Sequence, residues 1–408
     1  MAVDPNDIAT LATRIGPRPP GSPYERRAAG YVIERLQQMG VASTLLPVRV
    51  PRGFNLVYAT LFVVAALSVP LALVSEILAL VISLAALVLA ALEVTGRPAL
   101  SRLAATRISH NVLGLIAPAR GLPAGEREQP RRVVITAHLD TARSGWLSQQ
   151  PIVARLRLLA VATAASMILL PVLQAVALAT PSRIPWYASL VPLVILIGAT
   201  VLLLQRELRG VPVAGANDDA SGVAALLSIA GALRRNPPRE LEVWLLFTAG
   251  AEAGGAGIRQ FLRDNLFDPD RTSFISLDSV GAGNIRFTRG EGLLLLRRSS
   301  PMLLRIAGEV AREHPEWGLR PQTHRLPATD QSVVLLHGYT AIGLFAADDQ
   351  GFIPNWHQTS DTPERVDIRT VARAVDVALA MIRHLDTSAN HESVAPSLGS
   401  EPGTTSRP

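Results

Sequence analysis

Long uncharged stretches constrain this 408-residue chain more than any other feature of its sequence. The only charge within residues 56–92 is Glu76, and residues 158–179 and 184–204 are both uncharged. A helix that crosses a bilayer needs about 20 apolar residues, and soluble cores rarely contain uncharged runs of that length. We therefore predict four membrane helices in two hairpins, with Glu93 at the interface completing the short second span.

The composition agrees with membrane anchoring. Hydrophobic residues make up 49% of the chain and charged residues 18%, whereas a soluble domain carries about 25% charged residues. Cysteine is absent, which excludes disulfides and thiolate metal ligands. Lysine is absent too, so the formal charge of +6 comes from arginine. Because these arginines cluster beside the apolar stretches, without interleaved aromatic residues, the charge does not indicate nucleic-acid binding.

The arginines also indicate an orientation. Each hairpin leaves and returns on one side of the membrane, where the flanks carry Arg49, Arg52, Arg97, Arg102, Arg107, Arg155, Arg157, Arg206 and Arg209. The far turns offer only Glu76 and Arg183. The positive-inside rule then predicts a multi-pass protein of the cell membrane with its hydrophilic part in the cytoplasm. The first residues have no apolar segment, so we expect no cleavable signal peptide.

The hydrophilic remainder is large enough for one α/β domain of about 300 residues. We divide the chain into three segments of that domain, at residues 1–54, 97–156 and 206–387, and two hairpins, at residues 55–96 and 157–205. Residues 388–408, rich in Ser, Pro, Gly and Glu, are expected to form a disordered tail.

Within the domain, strand and helix patterns alternate. Residues 133–137, 241–248 and 273–277 are short, apolar and partly β-branched, which indicates buried strands. Residues 24–39 and 220–235 have helical spacing, and Asp218 and Asp219 stand where a helix cap belongs. This alternation predicts a parallel or mixed sheet covered by helices on both faces.

Polar residues follow the predicted strands at their ends. His138, Glu252 and Asp278 each come directly after an apolar strand, where ligands of open α/β sheets bind. Asp218 before a helix and His357 in a loop can complete a cluster. Each residue alone is most simply a cap or a solvated loop side chain. Together, two histidines and three carboxylates without sulfur predict a first-row metal site, with zinc as the first candidate.

These segments resemble the co-catalytic zinc aminopeptidase family, peptidase family M28. The resemblance rests on Val-Ile-Thr-Ala-His-Leu-Asp-Thr, Gly-Ala-Asn-Asp-Asp-Ala-Ser-Gly, Ala-Glu-Ala-Gly-Gly-Ala-Gly, Ser-Leu-Asp-Ser-Val-Gly and Trp-His-Gln-Thr-Ser-Asp-Thr. It covers most of residues 8–385 outside the hairpins. It implies a three-layer α/β/α sandwich around a mixed β-sheet.

The resemblance also implies roles for individual residues. One zinc ion would be held by His138 and Asp278, a second by Glu252 and His357, and Asp218 would bridge them. Asp140 would orient His138, and Asp330 would lie on the substrate side. Two ions so placed would activate water and polarise a scissile carbonyl.

One position departs from the family pattern. The family has two consecutive glutamates, the first a general base and the second a metal ligand, and here Ala251 precedes Glu252. A methyl group accepts no proton, and loss of a general base costs about 10²–10⁴ in rate. Asp219 or Asp348 are the candidates to replace it.

Three functions therefore compete. The first is a membrane-anchored, aminopeptidase-like zinc peptidase with weak activity. The second is a non-catalytic metal-binding scaffold or receptor with a peptidase fold. The third is an acyltransferase resembling glutaminyl cyclase, which uses one zinc and also needs the absent glutamate. Because the second hairpin separates His138 from Asp218 in sequence, we expect the active face near the bilayer and membrane-associated peptides as substrates.

Overall fold

The computed structural model describes residues 3–96, 100–121, 130–327 and 329–392. The helices are α1 Pro5–Ala9, α2 Pro23–Gln38, α3 Phe54–Leu71, α4 Glu76–Val94, α5 Gln150–Val153, α6 Leu156–Ala179, α7 Ile184–Ala188, α8 Leu190–Arg209, α9 Gly222–Arg235, α10 Ala256–Asp264, α11 Pro301–Glu313, α12 Asp330–Leu336 and α13 Ile368–Glu392. The strands are β1 Ala42–Pro51, β2 Thr106–Ile116, β3 Arg132–His138, β4 Glu242–Thr248, β5 Thr272–Leu277, β6 Asn284–Glu291, β7 Arg297–Arg298, β8 Arg320–His324 and β9 Thr340–Ala347.

These strands form one mixed sheet in the order β1-β2-β4-β3-β5-β9-β6-β7, with β8 paired to β6. Its centre is parallel, because β3 pairs in parallel with β4 and β5, and β5 with β9. Strand β2 pairs antiparallel with β1 and β4, and β6 antiparallel with β9. The four parallel strands therefore end at one edge of the sheet, where the predicted ligands follow them.

Alternating side chains of the central strands enter cores on opposite faces. In β3, Val133 and Ile135 pack with α2, α9 and α13, whereas Val134 packs with Ile258 of α10 and Val333 of α12. A strand with apolar residues on both sides must be covered on both sides. The predicted α/β/α sandwich is confirmed, and so are the predicted strands and helices of the domain.

The four apolar stretches form helices long enough to cross a membrane. The spans are Phe54–Leu71, Glu76–Val94, Leu156–Ala179 and Ile184–Arg209, of 18, 19, 24 and 26 residues. The last span comprises α7 and α8. Within each hairpin both free ends return to the sheet domain, at residues 53 and 95 and at residues 155 and 210.

The two hairpins are joined by polar contacts as well as apolar packing. Gln174 of α6 donates to the Ser68 hydroxyl of α3 at 2.7 Å and accepts from the Ser83 hydroxyl of α4. Such interhelical hydrogen bonds, together with small residues at the interface, hold helices together where lipid removes the hydrophobic drive. Near the roots, Asn55 of α3 donates to Glu207 of α8 at 3.1 Å.

The predictions for Glu93, Arg97 and the C-terminal tail have different outcomes. Glu93 is buried at the end of α4, where its carboxylate accepts from the backbone N–H groups of Leu100 and Ser101. Arg97 lies outside the described residues. Helix α13 continues to Glu392, and residues 393–408 of the expected tail lie outside the described residues.

Candidate metal centre

The candidate ligands converge because they follow neighbouring parallel strands. His138 ends β3, Glu252 lies in the turn after β4, Asp278 follows β5, and His357 lies in the segment after β9. Asp218 belongs to an irregular turn before α9, with φ −116° and ψ 86°, and the Asp218–Asp219 peptide bond is cis.

Asp218 lies between the two histidines. Its Oδ1 is 3.1 Å from His138 Nε2, and its Oδ2 is 3.2 Å from His357 Nε2. His357 Nε2 is also 2.9 Å from Glu252 Oε1. Ligand atoms of His138, Asp218 and Glu252 all lie within 4.8 Å of one another. One carboxylate thus faces a separate histidine with each oxygen, as a bridging ligand does.

The environment of one buried atom indicates that these residues can bind a metal ion. Asp218 Oδ2 is buried and makes no hydrogen bond within the described residues, although His357 Nε2 lies nearby. An unsatisfied buried carboxylate oxygen is costly without a partner. An imidazole and two carboxylates around it form a donor set that zinc accepts.

Asp278 joins this cluster through electrostatics. Burial, and then the negative charge of Asp218, raise the pKa of Asp278 to about 7. Its Oδ1 accepts a hydrogen bond from the Ser279 hydroxyl at 2.8 Å. Burial thus disfavours the charged form of Asp278 although His138 attracts it. A divalent ion beside His138 would favour the charged form.

Asp140 acts on the turn that carries Glu252 as well as on His138. Its two carboxylate oxygens accept from the N–H groups of Ala251 and Glu252, at 3.0 and 2.9 Å. His138 Nδ1 lies 3.0 Å from the Asp140 backbone oxygen and 3.5 Å from its carboxylate. The backbone carbonyl is therefore the nearer partner of the His138 ring.

Ala251 directly precedes Glu252 in the chain, at the position to which the family resemblance assigns a general base. It begins a short 3₁₀ turn at residues 251–253 and is partly exposed. Its N–H is fixed by Asp140, so the backbone geometry of the position is held although the side chain offers no proton acceptor.

Both aspartates considered as replacement bases accept hydrogen bonds from backbone N–H groups. Asp219 is fully buried, and its oxygens accept from the backbone N–H groups of His138, Gly222 and Ser279. Asp348 Oδ1 accepts from the N–H groups of Gln350 and Phe352 within its own turn. Both carboxylates are engaged in holding the backbone.

Asp330 lies at the N-terminus of α12, beneath the site. Its Oδ2 accepts from the Thr248 hydroxyl at 2.7 Å, and its buried Oδ1 makes no hydrogen bond within the described residues. Burial raises the pKa of Asp330 to about 6. It is coupled electrostatically to His138 and Asp140, but no direct contact joins it to the five candidate ligands.

Two residues that sequence reasoning passed over hold the ligand loops in place. Arg18 is fully buried, and its guanidinium donates to the carbonyls of Leu11, Gly16, Leu139, Ala214 and Gly215. Asp361 accepts from the N–H groups of Asn217 and Asp218, at 2.7 and 3.1 Å. Asp361 stands inside the Trp-His-Gln-Thr-Ser-Asp-Thr segment, which was the available signal. For Arg18 there was no sequence signal beyond its place in the opening segment.

Helices of the second hairpin contact the site directly. Arg206, in the last turn of α8, donates from Nη2 to Glu252 Oε2 at 3.2 Å, and the same nitrogen lies 3.1 Å from His357 Nδ1. Leu156, the first residue of α6, packs in an apolar cluster with Trp356, whose ring stacks on His357 at 3.8 Å. The site therefore lies against the roots of the second hairpin, as the chain connectivity predicts.

Arg206 also favours one tautomer of the neutral His357 ring. A guanidinium only donates hydrogen bonds, so His357 Nδ1 accepts, and in the neutral ring the proton is on Nε2. A ring that binds a metal through Nε2 needs that proton on Nδ1. Metal binding by His357 therefore requires Arg206 to leave the ring nitrogen.

We accordingly expect Arg206→Met, which keeps the apolar stem and removes the donors, to tighten zinc binding about 10-fold, the value of one charge-assisted hydrogen bond. Competition against a chelating dye measures this affinity. Arg209→Met, on an exposed residue of the same helix turn, is the matched control and should change nothing. Weaker binding by Arg206→Met would instead identify Arg206 as a support for Glu252.

Comparison with known proteins shows similarities in fold and in sequence. Residues 200–382 match the model of peptidase family M28. Endoplasmic reticulum metallopeptidase 1 of Mus musculus is 28% identical over 182 residues, which are 43% of this chain and 19% of the relative. The match thus spans about a fifth of that relative's length.

Solved structures share the fold at low identity. The zinc aminopeptidase BSAP of Bacillus subtilis aligns with a TM-score of 0.57 and 13% identity over 93% of each chain. A leucine aminopeptidase precursor of Bacteroides thetaiotaomicron gives 0.54 and 16%, covering 94% of this chain and 98% of its own. A glutaminyl cyclase of Porphyromonas gingivalis gives 0.54 and 14%, with 94% and 99% covered.

Proposed function

Because residues 200–382 match the model of peptidase family M28, we propose that this protein is a membrane-anchored, zinc-dependent, aminopeptidase-like peptidase of weak activity. The observation that carries the proposal is the Asp218 carboxylate, held between His138 and His357 with one buried oxygen unsatisfied. A cation bound among these side chains would satisfy that oxygen.

The proposed complement is two zinc ions. His138 and Asp278 would hold one, Glu252 and His357 the other, and Asp218 both. Bound there, the ions would polarise a peptide carbonyl and activate water. The raised pKa of Asp278 supports the first site, and the contact of His357 with both Asp218 and Glu252 supports the second.

The chain's own residues limit the rate. Asp140 fixes the Ala251–Glu252 turn, but Ala251 offers no oxygen to take a proton from the attacking water. Asp219 is committed to three backbone N–H groups. Positioning and charge stabilisation remain, whereas general-base catalysis does not.

Peptides associated with the bilayer are the proposed substrates. Arg206 and Leu156 belong to helices of the second hairpin, and both lie at the site. The apolar cluster of Leu156, Phe345 and Trp356 lies beside His357. An apolar peptide side chain that approaches from the membrane surface would contact this apolar cluster first.

The direct test is hydrolysis of aminoacyl reporter substrates by the full chain in lipid nanodiscs. We expect slow release that disappears on chelation and returns with zinc. His138→Ala is the matched inactive variant, and it separates this activity from contaminating peptidases. Fast hydrolysis that survives chelation would contradict the proposal.

A scaffold function is the second candidate, and Arg206 is the observation that favours it. An arginine bonded to Glu252 and His357 satisfies both side chains without an ion. In this case the site would join the second hairpin to the domain, and zinc would be dispensable for folding. Unchanged thermal stability after chelation, together with no hydrolysis, would support this function.

Cell-membrane localisation with a cytoplasmic domain is also proposed. Both hairpins return to the sheet domain, and the described roots carry arginines such as Arg52, Arg107 and Arg155. A reporter fused after Pro408 should therefore remain in the cytoplasm. A fusion that is exported, or glycosylated in a lumen, would contradict this orientation.

A further inference from the structure

A polar cavity lies where the first hairpin joins the sheet. It has a volume of about 640 Å³, and its lining includes Arg26, Arg52, Arg107 and His110. None of the five candidate metal ligands lines it. It is therefore separate from the metal centre.

The charge of this cavity is strongly one-sided. Three guanidinium groups and an imidazole face it, no acidic side chain lines it, and no ion pair engages these four residues within the described parts of the chain. Arg26 Nη1 donates to the Ile108 carbonyl at 3.1 Å, which anchors the group and leaves its other N–H groups available. Arg26, Arg52 and Arg107 are exposed, so solvent screens part of their mutual repulsion, and an anion bound among them would offset the rest.

Glu25, which accepts a hydrogen bond from the lining residue Gly21, contributes little negative charge. Glu25 is fully buried below the cavity wall, where its carboxylate accepts from the N–H groups of Gly21 and Gly250, both at 2.7 Å. Burial raises the pKa of Glu25 to about 8. At neutral pH the cavity therefore keeps its positive charge.

Its position places the cavity at the headgroup level of the proposed membrane. Arg52 stands two residues before α3, and its N–H donates to the Ala105 carbonyl at 2.8 Å. Pro51 and Thr106 are paired at the ends of β1 and β2, directly at the root of the first hairpin.

We propose that this cavity binds a phosphate group, carried by an anionic phospholipid headgroup or by a free phosphate. Planar guanidinium groups match phosphate oxygens in pairs, and arginine is weakly hydrated enough to exchange water for them. Three converging arginines provide more donors than one phosphate needs, while the open cavity leaves room for the ester group.

Two arms of one experiment distinguish the sources. In the first, the purified full chain in neutral detergent is titrated with inorganic phosphate and bound phosphate is measured by equilibrium dialysis. In the second, the chain is equilibrated with mixed micelles of phosphatidylglycerol and phosphatidylcholine, and retained lipid is identified by native mass spectrometry. We expect selective retention of phosphatidylglycerol, with phosphate binding more weakly at the same site.

The variant Arg26→Gln/Arg52→Gln/Arg107→Gln should reduce retention at least about 10-fold, since charge-assisted hydrogen bonds are lost. The matched control Arg155→Gln/Arg157→Gln/Arg209→Gln removes equal charge from exposed positions at the second hairpin and should stay within about 2-fold. If the cavity variant misfolds, Arg52→Gln alone should still lower retention measurably. Absence of binding in both arms, an unaffected cavity variant, or an equal loss in the control would overturn the proposal.

Discussion

Ala251→Glu is expected to raise kcat for aminoacyl reporter hydrolysis about 100-fold or more. Asp140 already holds the backbone N–H groups of residues 251 and 252, so the substitution adds a carboxylate to a turn whose geometry is fixed. The position is partly exposed, and the new side chain therefore has room. The gain should appear in kcat rather than in KM, because a general base acts on the attacking water and not on substrate binding.

Ala251→Gln is the matched control. Its side chain has nearly the same size and polarity but accepts no proton at neutral pH, so it should leave kcat near the natural value. A natural protein that is already fast, and gains nothing from Ala251→Glu, would show that another residue is the base. No activity in either form, despite bound zinc, would favour the scaffold function.

Asp218→Asn is expected to abolish zinc loading at both sites. Each Asp218 oxygen faces a different histidine, at 3.1 and 3.2 Å, so the carboxylate is shared between the two proposed ions. The amide has the same shape but lacks the charge, and its nitrogen is no ligand. Metal analysis after zinc reconstitution should fall from up to two ions per chain to near zero.

Two further variants make this measurement specific. His138→Ala should remove one ion and leave the other. His324→Asn changes another buried histidine, which is not among the five candidate ligands, and should leave both ions bound. Unchanged metal content in Asp218→Asn would contradict the bridging role, and no metal in the natural protein would reject the site.

The sequence alone determined the fold class and the order of the ligands. Apolar runs are periodic and local, so residues 133–137 and 273–277 could be recognised as strands and the four spans as helices. His138, Glu252 and Asp278 could be assigned to one edge because parallel strands must end together. These inferences need only neighbouring residues and the general geometry of sheets.

The tertiary structure decided what each ligand touches. The contact of Arg206 with Glu252 and His357 joins residues 46 and 151 positions apart, and from the sequence Arg206 was one membrane-flanking arginine among nine. The roles assigned to Asp219 and Asp140 likewise changed, because their carboxylate oxygens accept hydrogen bonds from backbone N–H groups. A side chain's partners depend on long-range packing that no local pattern encodes, whereas the strands and spans depend on local hydrophobicity, which the sequence carries in full.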